Sequence, residues 1–257
     1  MKWLDKTAVI LFTVCLFLSS ALIPITFIST STTFYRTQLK ACGIYPIENK
    51  STVIRYIGGN RDMSAAFTSE QFDEIIAHIT DFMANKKQNF ALQMDGINLN
   101  GEIVGSVNIF GNEAITHMND VKTVFATAKS ALVACVISLI VCAFYMFSRK
   151  SYIKKIIYKL SLGVTTSIFT IFALFFGGSF IKHLINGSGS FSDTLWFDMH
   201  HIFFPLSPEK FQASSFNDTL TYILTLDFFM NTVIVVTVCI ISLTAIWLFF
   251  SKLISKK

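Results

Sequence analysis

Two histidines carry the chemistry that this chain advertises. His117 lies in Glu113-Ala-Ile-Thr-His-Met-Asn-Asp-Val121, a few residues ahead of a long apolar stretch, and His200 lies in Phe197-Asp-Met-His-His-Ile-Phe-Phe204, between two further stretches. Imidazole is the side chain whose unperturbed pKa, roughly 6.5, suits proton transfer near neutral pH. Two such groups at one depth of a bilayer surface point to acid–base chemistry on a lipid-like substrate. Each also has a bland reading. His117 can simply satisfy a local hydrogen bond, with Asn119 and Asp120 capping the helix that follows. His200 and His201 can pack as interfacial side chains. A metal held by His117, His200 and His201 is a third reading, and it lacks an evident carboxylate or further ligand.

The elements that must position these residues follow from hydropathy. The chain has 257 residues, 53% of them hydrophobic, with 27 Phe and only 14% charged. Its mean hydropathy is +0.57. Soluble proteins carry about 25% charged residues. Four apolar blocks are long enough to cross about 30 Å of hydrocarbon. They run Ala8–Ile28, about Ser130–Phe147, Leu160–Ile181 and about Phe228–Phe250. Pro24 falls near the outer end of the first, where a kink is tolerated. The fold class is therefore a membrane protein, mainly α, with four transmembrane helices and a small extracytoplasmic α+β cap.

Orientation follows from basic residues in short flanks. Lys2, Lys6, Arg149, Lys150, Lys154, Lys155, Lys159, Lys252, Lys256 and Lys257 share one side, opposed there only by Asp5. That side is cytoplasmic, as are both termini. The other side holds 29–127 and 182–227, where acids outnumber bases. The net charge of +5 thus reflects membrane orientation. No basic stripe with interleaved aromatics supports nucleic-acid binding. The first block is longer than a signal-peptide core and has no Ala-x-Ala site after it, so it reads as a retained helix. Leu39-Lys-Ala-Cys-Gly43 lies too far from that block to be a lipoprotein acylation box. Cys15, Cys135, Cys142 and Cys239 fall within spans and Cys42 outside, with no zinc-site spacing.

The organisation is then a first span through 1–29, an outer cap over 30–123, and two spans with a basic loop over 124–182. An aromatic outer segment covers 183–227 and a last span 228–257. In the cap, Thr68-x-x-Gln71 is a capping box, and Phe72, Ile75, Ile76, Ile79, Phe82 and Met83 follow at helical spacing. The opposite face, with Asp73, Glu74, His78 and Asp81, reads as solvated. Ser51–Ile57 reads as a short helix ending at Gly58-Gly59. Asn89–Phe110 reads as strands or a hairpin turned at Asp95-Gly96 and Asn100-Gly101. In the second outer segment, Asn186-Gly-Ser-Gly-Ser190 is flexible. Phe191, Trp196, Phe197, Phe203, Phe204, Phe211 and Phe216 then predict one or two short amphipathic helices in the outer leaflet.

Familiar catalytic motifs are missing. There is no Gly-x-Ser-x-Gly elbow, phosphate-binding loop, His-Glu-x-x-His helix or dinucleotide fingerprint. All five histidines, His78, His117, His183, His200 and His201, lie on the outer side of the predicted topology.

Asn108-Ile-Phe-Gly-Asn-Glu-Ala-Ile-Thr-His-Met-Asn-Asp-Val-Lys122 resembles the segment ahead of the second span in bacterial lipoprotein intramolecular transacylases. His200-His-Ile-Phe-Phe204 is similar to that family's second motif, a His followed by paired Phe. Asp218-x-Leu220 and Phe228-Phe229 fit its pattern before the last helix. The resemblance spans the whole chain in span number, order and loop size. It departs at His201, which leaves 200 and 201 both open with the Phe pair favouring His200, and at Phe211, where the family tends to have Trp.

The resemblance implies a reaction. A diacylglyceryl-modified lipoprotein would move its sn-2 acyl chain onto the α-amine of its own N-terminal Cys, giving the lyso form, at the outer face of a bacterial cell membrane. It implies His117 as general base and His200 as the group that donates a proton or steadies the oxyanion, with the roles exchangeable. His201, Asp120 and Asp218 would be supporting residues, Asp120 orienting an imidazole or capping. No cofactor or metal is implied, and the partners are the lipoprotein substrate and membrane lipids. The rival readings are a non-enzymatic membrane sensor or assembly protein, and another lipid-ester hydrolase or acyltransferase.

Overall fold

Long runs of Leu, Ile, Val and Phe without interior acids satisfy every backbone hydrogen bond internally as helix, which is what a hydrocarbon environment demands. In the computed structural model, which describes residues 2–46, 50–186, 190–203 and 218–256, they do form helices. These are α1 (Lys2–Ile28), α4 (Asn112–Ser148), α5 (Lys150–Asn186) and α8 (Leu226–Lys256). All four are long and apolar enough to cross a membrane. Between them come α2 (Thr32–Ala41), β1 (Thr52–Arg55), β2 (Ser64–Phe67), α3 (Ser69–Met83), β3 (Gln93–Leu99) and β4 (Glu102–Asn108). Two short helices, α6 (Phe191–Phe203) and α7 (Thr219–Ile223), precede α8.

The chain divides into two compact units. The first comprises Met1–Thr26, Thr127–Phe191 and Val233–Lys257. Large apolar side chains such as Val133, Ile137, Ile140 and Phe144 are exposed along it, as lipid-facing positions are. Its helices are joined by polar contacts among otherwise apolar surfaces. The Tyr145 hydroxyl donates to Asp5 Oδ1 at 2.9 Å, and Arg149 Nε approaches the same oxygen at 3.6 Å. Trp247 Nε1 donates to Ser161 Oγ at 3.2 Å, and Thr13 Oγ1 lies 3.1 Å from that hydroxyl. Four cysteines, Cys15, Cys135, Cys142 and Cys239, belong to these helices, and all five in the chain are free thiols.

The second unit, Phe27–Ala126 with Ser192–Thr232, carries an antiparallel sheet in the order β1-β2-β3-β4. The β3–β4 hairpin is in register from Gln93↔Asn108 to Leu99↔Glu102. Asn100 and Gly101, both at positive φ, turn it as an Asn-Gly dipeptide should. Helix α3 starts at the expected box: Gln71 N donates to Thr68 Oγ1, and Gln71 Oε1 accepts from Thr68 N. Its apolar stripe of Phe72, Ile75, Ile76, Ile79, Phe82 and Met83 is buried in the unit's core with Ile54, Phe67, Phe90 and Ile97. Each such side chain contributes about 1.5–3 kcal/mol relative to exposure. Helix α2, capped by Ser31, is tied to α3 by Arg36, which donates to both carboxylate oxygens of Asp73 at 2.9 and 2.8 Å.

Four expectations are corrected. Asp95-Gly96, expected as a turn, lies inside β3, where Asp95 pairs with Ser106. The segment expected as a helix at Ser51–Ile57 is strand β1 paired with β2 from Thr52↔Phe67 to Arg55↔Ser64. Consecutive β-branched Thr52, Val53 and Ile54 suit a pleated surface, and pairing outweighs any local helical tendency. His78 is buried, 3% exposed, because the chain after α3 folds back and brings Phe90 and Lys87 onto it. His78 Nε2 donates to Phe90 O at 2.9 Å, while Lys87 Nζ donates to Nδ1 at 3.0 Å. Burial lowers its pKa below the usual imidazole range. Finally, α4 begins at Asn112, so Asn119 and Asp120 lie two turns inside it and do not cap its start. The expected flexible Gly-Ser-Gly at 187–189 and the aromatics Phe204, Phe211 and Phe216 lie outside the described residues.

Candidate active site

The site is assembled at the start of α4 and along α6, both within the second unit up to Ala126 and from Ser192. Where α4 starts is set by a close backbone approach. Gly111 N donates to Asp218 Oδ2 at 2.7 Å. A Cβ at Gly111 would meet that oxygen at 2.7 Å and Gly58 O at 3.0 Å, so the position admits only glycine. Asp218, 2% exposed, also accepts from Leu220 N at 3.0 Å and so caps α7 in a capping box with Thr221. The neighbouring Thr219 Oγ1 donates to Ile109 O at 2.7 Å. Burial pushes the Asp218 carboxyl above the usual carboxylate range, against the pull of its two backbone N–H donors. Asp218 and Thr219 thus clip the chain to Gly111 and Ile109, two of the three residues that precede the helix bearing His117.

From that start, Ala114 and Met118 are buried in the core and fix the rotation of α4. His117, between them on the helix, is turned toward His200 of α6. The two ring centroids lie 6.3 Å apart with planes 23° from parallel. His200 is 7% exposed. Its Nδ1 sits 3.1 Å from Trp196 O, one turn earlier in α6. A carbonyl only accepts, so Nδ1 carries the proton and Nε2 the basic lone pair. Burial lowers the His200 pKa, partly offset by that carbonyl. The imidazole is therefore a neutral base over a wider range of pH than in water.

The floor of the site is aromatic. The Trp196 ring lies 4.1 Å from the His200 ring and meets Phe229 edge-on at 4.2 Å and 85°. Leu195 beside it is buried. The two imidazoles are thus neighbours at one site, close enough for a single substrate group to meet both. Protonating both rings at once would cost about 2–3 kcal/mol of repulsion at 6.3 Å, taking an effective dielectric of about 20. Two charged imidazoles this close would therefore disfavour one another.

The other expected residues fall elsewhere. His201 is exposed and packs edge-on against Phe197 at 4.4 Å, so the structure brings His200, and not its neighbour, to His117. Asp120 is exposed on α4 one turn beyond His117, with no ion pair among the described residues. Asp218 meets backbone amides and acts on the site only through Gly111 and α7. Among the described residues, no three His, Cys, Asp or Glu side chains converge as metal ligands would. Sequence reasoning placed Trp196 among the interfacial aromatics and missed its place against His200. The signal was present as a Trp and a His four residues apart, which share one face of a helix.

One comparison with known proteins returns a match. The model of the family described as lipoprotein intramolecular transacylase Lit matches residues 9–229, a stretch that contains α1 from its second turn, the whole cap and both histidines. No curated protein and no solved structure matches the chain. A match over most of the chain, on a frame of four apolar helices and one small sheet, is decisive. The chain belongs to the lipoprotein intramolecular transacylase family, whose members are acyltransferases of lipoprotein modification.

Proposed function

We propose that the protein transfers the sn-2 acyl chain of a diacylglyceryl-modified lipoprotein to the α-amine of that lipoprotein's N-terminal Cys, with His117 and His200 as its acid–base pair. The observation that carries this reading is the convergence of the two imidazoles at 6.3 Å. The exchanged assignment of roles fits the tautomer best. His200 Nε2 accepts the proton of the neutral substrate amine as its nitrogen attacks the ester carbonyl carbon. The C–N bond forms, the carbonyl becomes a tetrahedral oxyanion, and the sn-2 C–O bond then breaks. His117 hydrogen-bonds the departing glyceryl oxygen, which receives the proton that His200 took up. An ester and an amine become an amide and a hydroxyl, and no co-reactant is consumed. Nucleophile and electrophile belong to one molecule, so holding them in register supplies much of the rate, and each imidazole adds about 10²–10⁴-fold.

Charge supports the outer membrane face as the place of reaction. Ten Lys and Arg flank the spans on one side, which favours that side and both termini as cytoplasmic, with the histidines on the other. Aromatic α6 gives the diacylglyceryl chains a surface to lie on. The test is mass spectrometry of lipoprotein N-termini from cells with and without the protein. Lyso-form N-acyl peptides are expected only in its presence. Diacylglyceryl forms with a free amine in both strains would refute the proposal.

A further inference from the structure

One buried polar group at the site has no use in the acid–base scheme. Trp196 Nε1 is shielded from water and meets no acceptor among the described residues. A buried donor without an acceptor has lost its hydration and gained nothing in exchange. The same indole is held firmly, its ring against His200 at 4.1 Å and across Phe229 at 85°. His200 further anchors the turn by its bond to Trp196 O at 3.1 Å.

We propose that Trp196 is a catalytic hydrogen-bond donor whose indole N–H binds the carbonyl oxygen of the migrating acyl chain and the oxyanion it becomes. This rests on the transacylase reading above and assigns a group that the histidines leave out. The amine proton goes to His200, the glyceryl oxygen takes a proton at the other end, and the former carbonyl oxygen needs a donor that never gives its proton up. An indole N–H donates and does not accept or ionise, which suits that task. An oxygen about 2.9 Å from Nε1 stays next to the His200 ring, where the amine loses its proton. The nitrogen is closed off from solvent, as His200 is. The carbonyl therefore reaches both as the acyl chain parts the site, and water does not compete for the donor. Donors fixed in such water-excluded positions are worth most to a developing oxyanion.

The test replaces the N–H and keeps the shape. Trp196→Phe and, by suppression at codon 196, Trp196→benzothienylalanine (sulfur in place of N–H) are purified as full chains in detergent and assayed on a synthetic diacylglyceryl lipopeptide. A loss of about 10²-fold in kcat is expected for the sulfur isostere, with KM and the form of the pH–rate profile unchanged and thermal stability equal or higher. A merely structural tryptophan predicts the same or higher stability with the rate intact. A rate within threefold of the parent for the isostere would overturn the proposal, whatever Trp196→Phe does to folding. If the parent protein itself forms no N-acyl product, the transacylase reading fails first, so the two failures are distinct.

Discussion

Gly111→Ala removes the smallest possible requirement of the site and has a cost that the structure sets. The added Cβ would lie 2.7 Å from Asp218 Oδ2 and 3.0 Å from Gly58 O, so the carboxylate or the chain at Gly58 must give way. The hydrogen bond from Gly111 N to that oxygen, 2.7 Å long and buried, is lost as it does. A hydrogen bond to a charged group is worth about 1.5–3 kcal/mol, and overpacking adds about 1–3 kcal/mol. A destabilisation of about 3–5 kcal/mol is expected. Asp218→Ala should cost about 3 kcal/mol, because it strips both Gly111 N and Leu220 N of their acceptor. The two changes share one bond, so the double variant should fall short of the sum by about 1.5–3 kcal/mol. Displacing the start of α4 also moves His117 relative to His200, and misplacement by about 1 Å can cost 10²-fold in rate. The assay is unfolding of detergent-purified protein for all four members of the cycle, with lyso-lipopeptide formation measured on each. Strict additivity, or a Gly111→Ala variant within 0.5 kcal/mol and twofold of the parent, would refute the clip as the device that positions the helix.

Other consequences are as direct. His117→Asn and His200→Asn should each lower lyso-lipoprotein formation by about 10²–10⁴-fold at unchanged membrane abundance, while His201→Asn stays within a few-fold; equal losses at 200 and 201 would contradict the orientation of α6. The rate should fall with unit slope as pH drops below the substrate amine's value, about 7.7–8.0. Because burial lowers the His200 pKa, the slope should steepen toward two only below the ordinary imidazole value of about 6.5. His200→Asn should retain the unit slope throughout, and a second break above pH 6.5 in the parent would contradict a buried neutral base. In the cap, Thr68→Ala deletes the hydroxyl that accepts from Gln71 N and should cost about 1 kcal/mol in thermal or chemical unfolding.

Much of the architecture was legible because the physics that builds it is local. A run of apolar residues of bilayer length, the Thr68–Gln71 box and the Asn100-Gly101 turn each dictate structure within a few residues of themselves, and all appear where expected. Strand β1 was misread because Thr52, Val53 and Ile54 reveal their preference only when β2 pairs with them. His78 was misread for a similar reason. At about 100° per residue His78 lies at the flank of the apolar stripe, next to Phe82 and Ile75, and the return of Phe90 and Lys87 covers it.

At the site the division is sharper. Residue chemistry and the match of its flanking motifs named His117 and His200 from the sequence, because imidazoles have few rivals for proton transfer near neutral pH. Their meeting at 6.3 Å is a different kind of fact. Eighty-odd residues separate them, and no periodicity spans that gap. The Asp218–Gly111 bond, the buried rotation of α4 at Ala114 and Met118, and the packing of Trp196 on Phe229 bring the rings together. The same packing turns His200 inward and His201 outward, a choice that neighbours in sequence cannot make, since adjacent helical residues point about 100° apart and only the surface they meet decides which is buried.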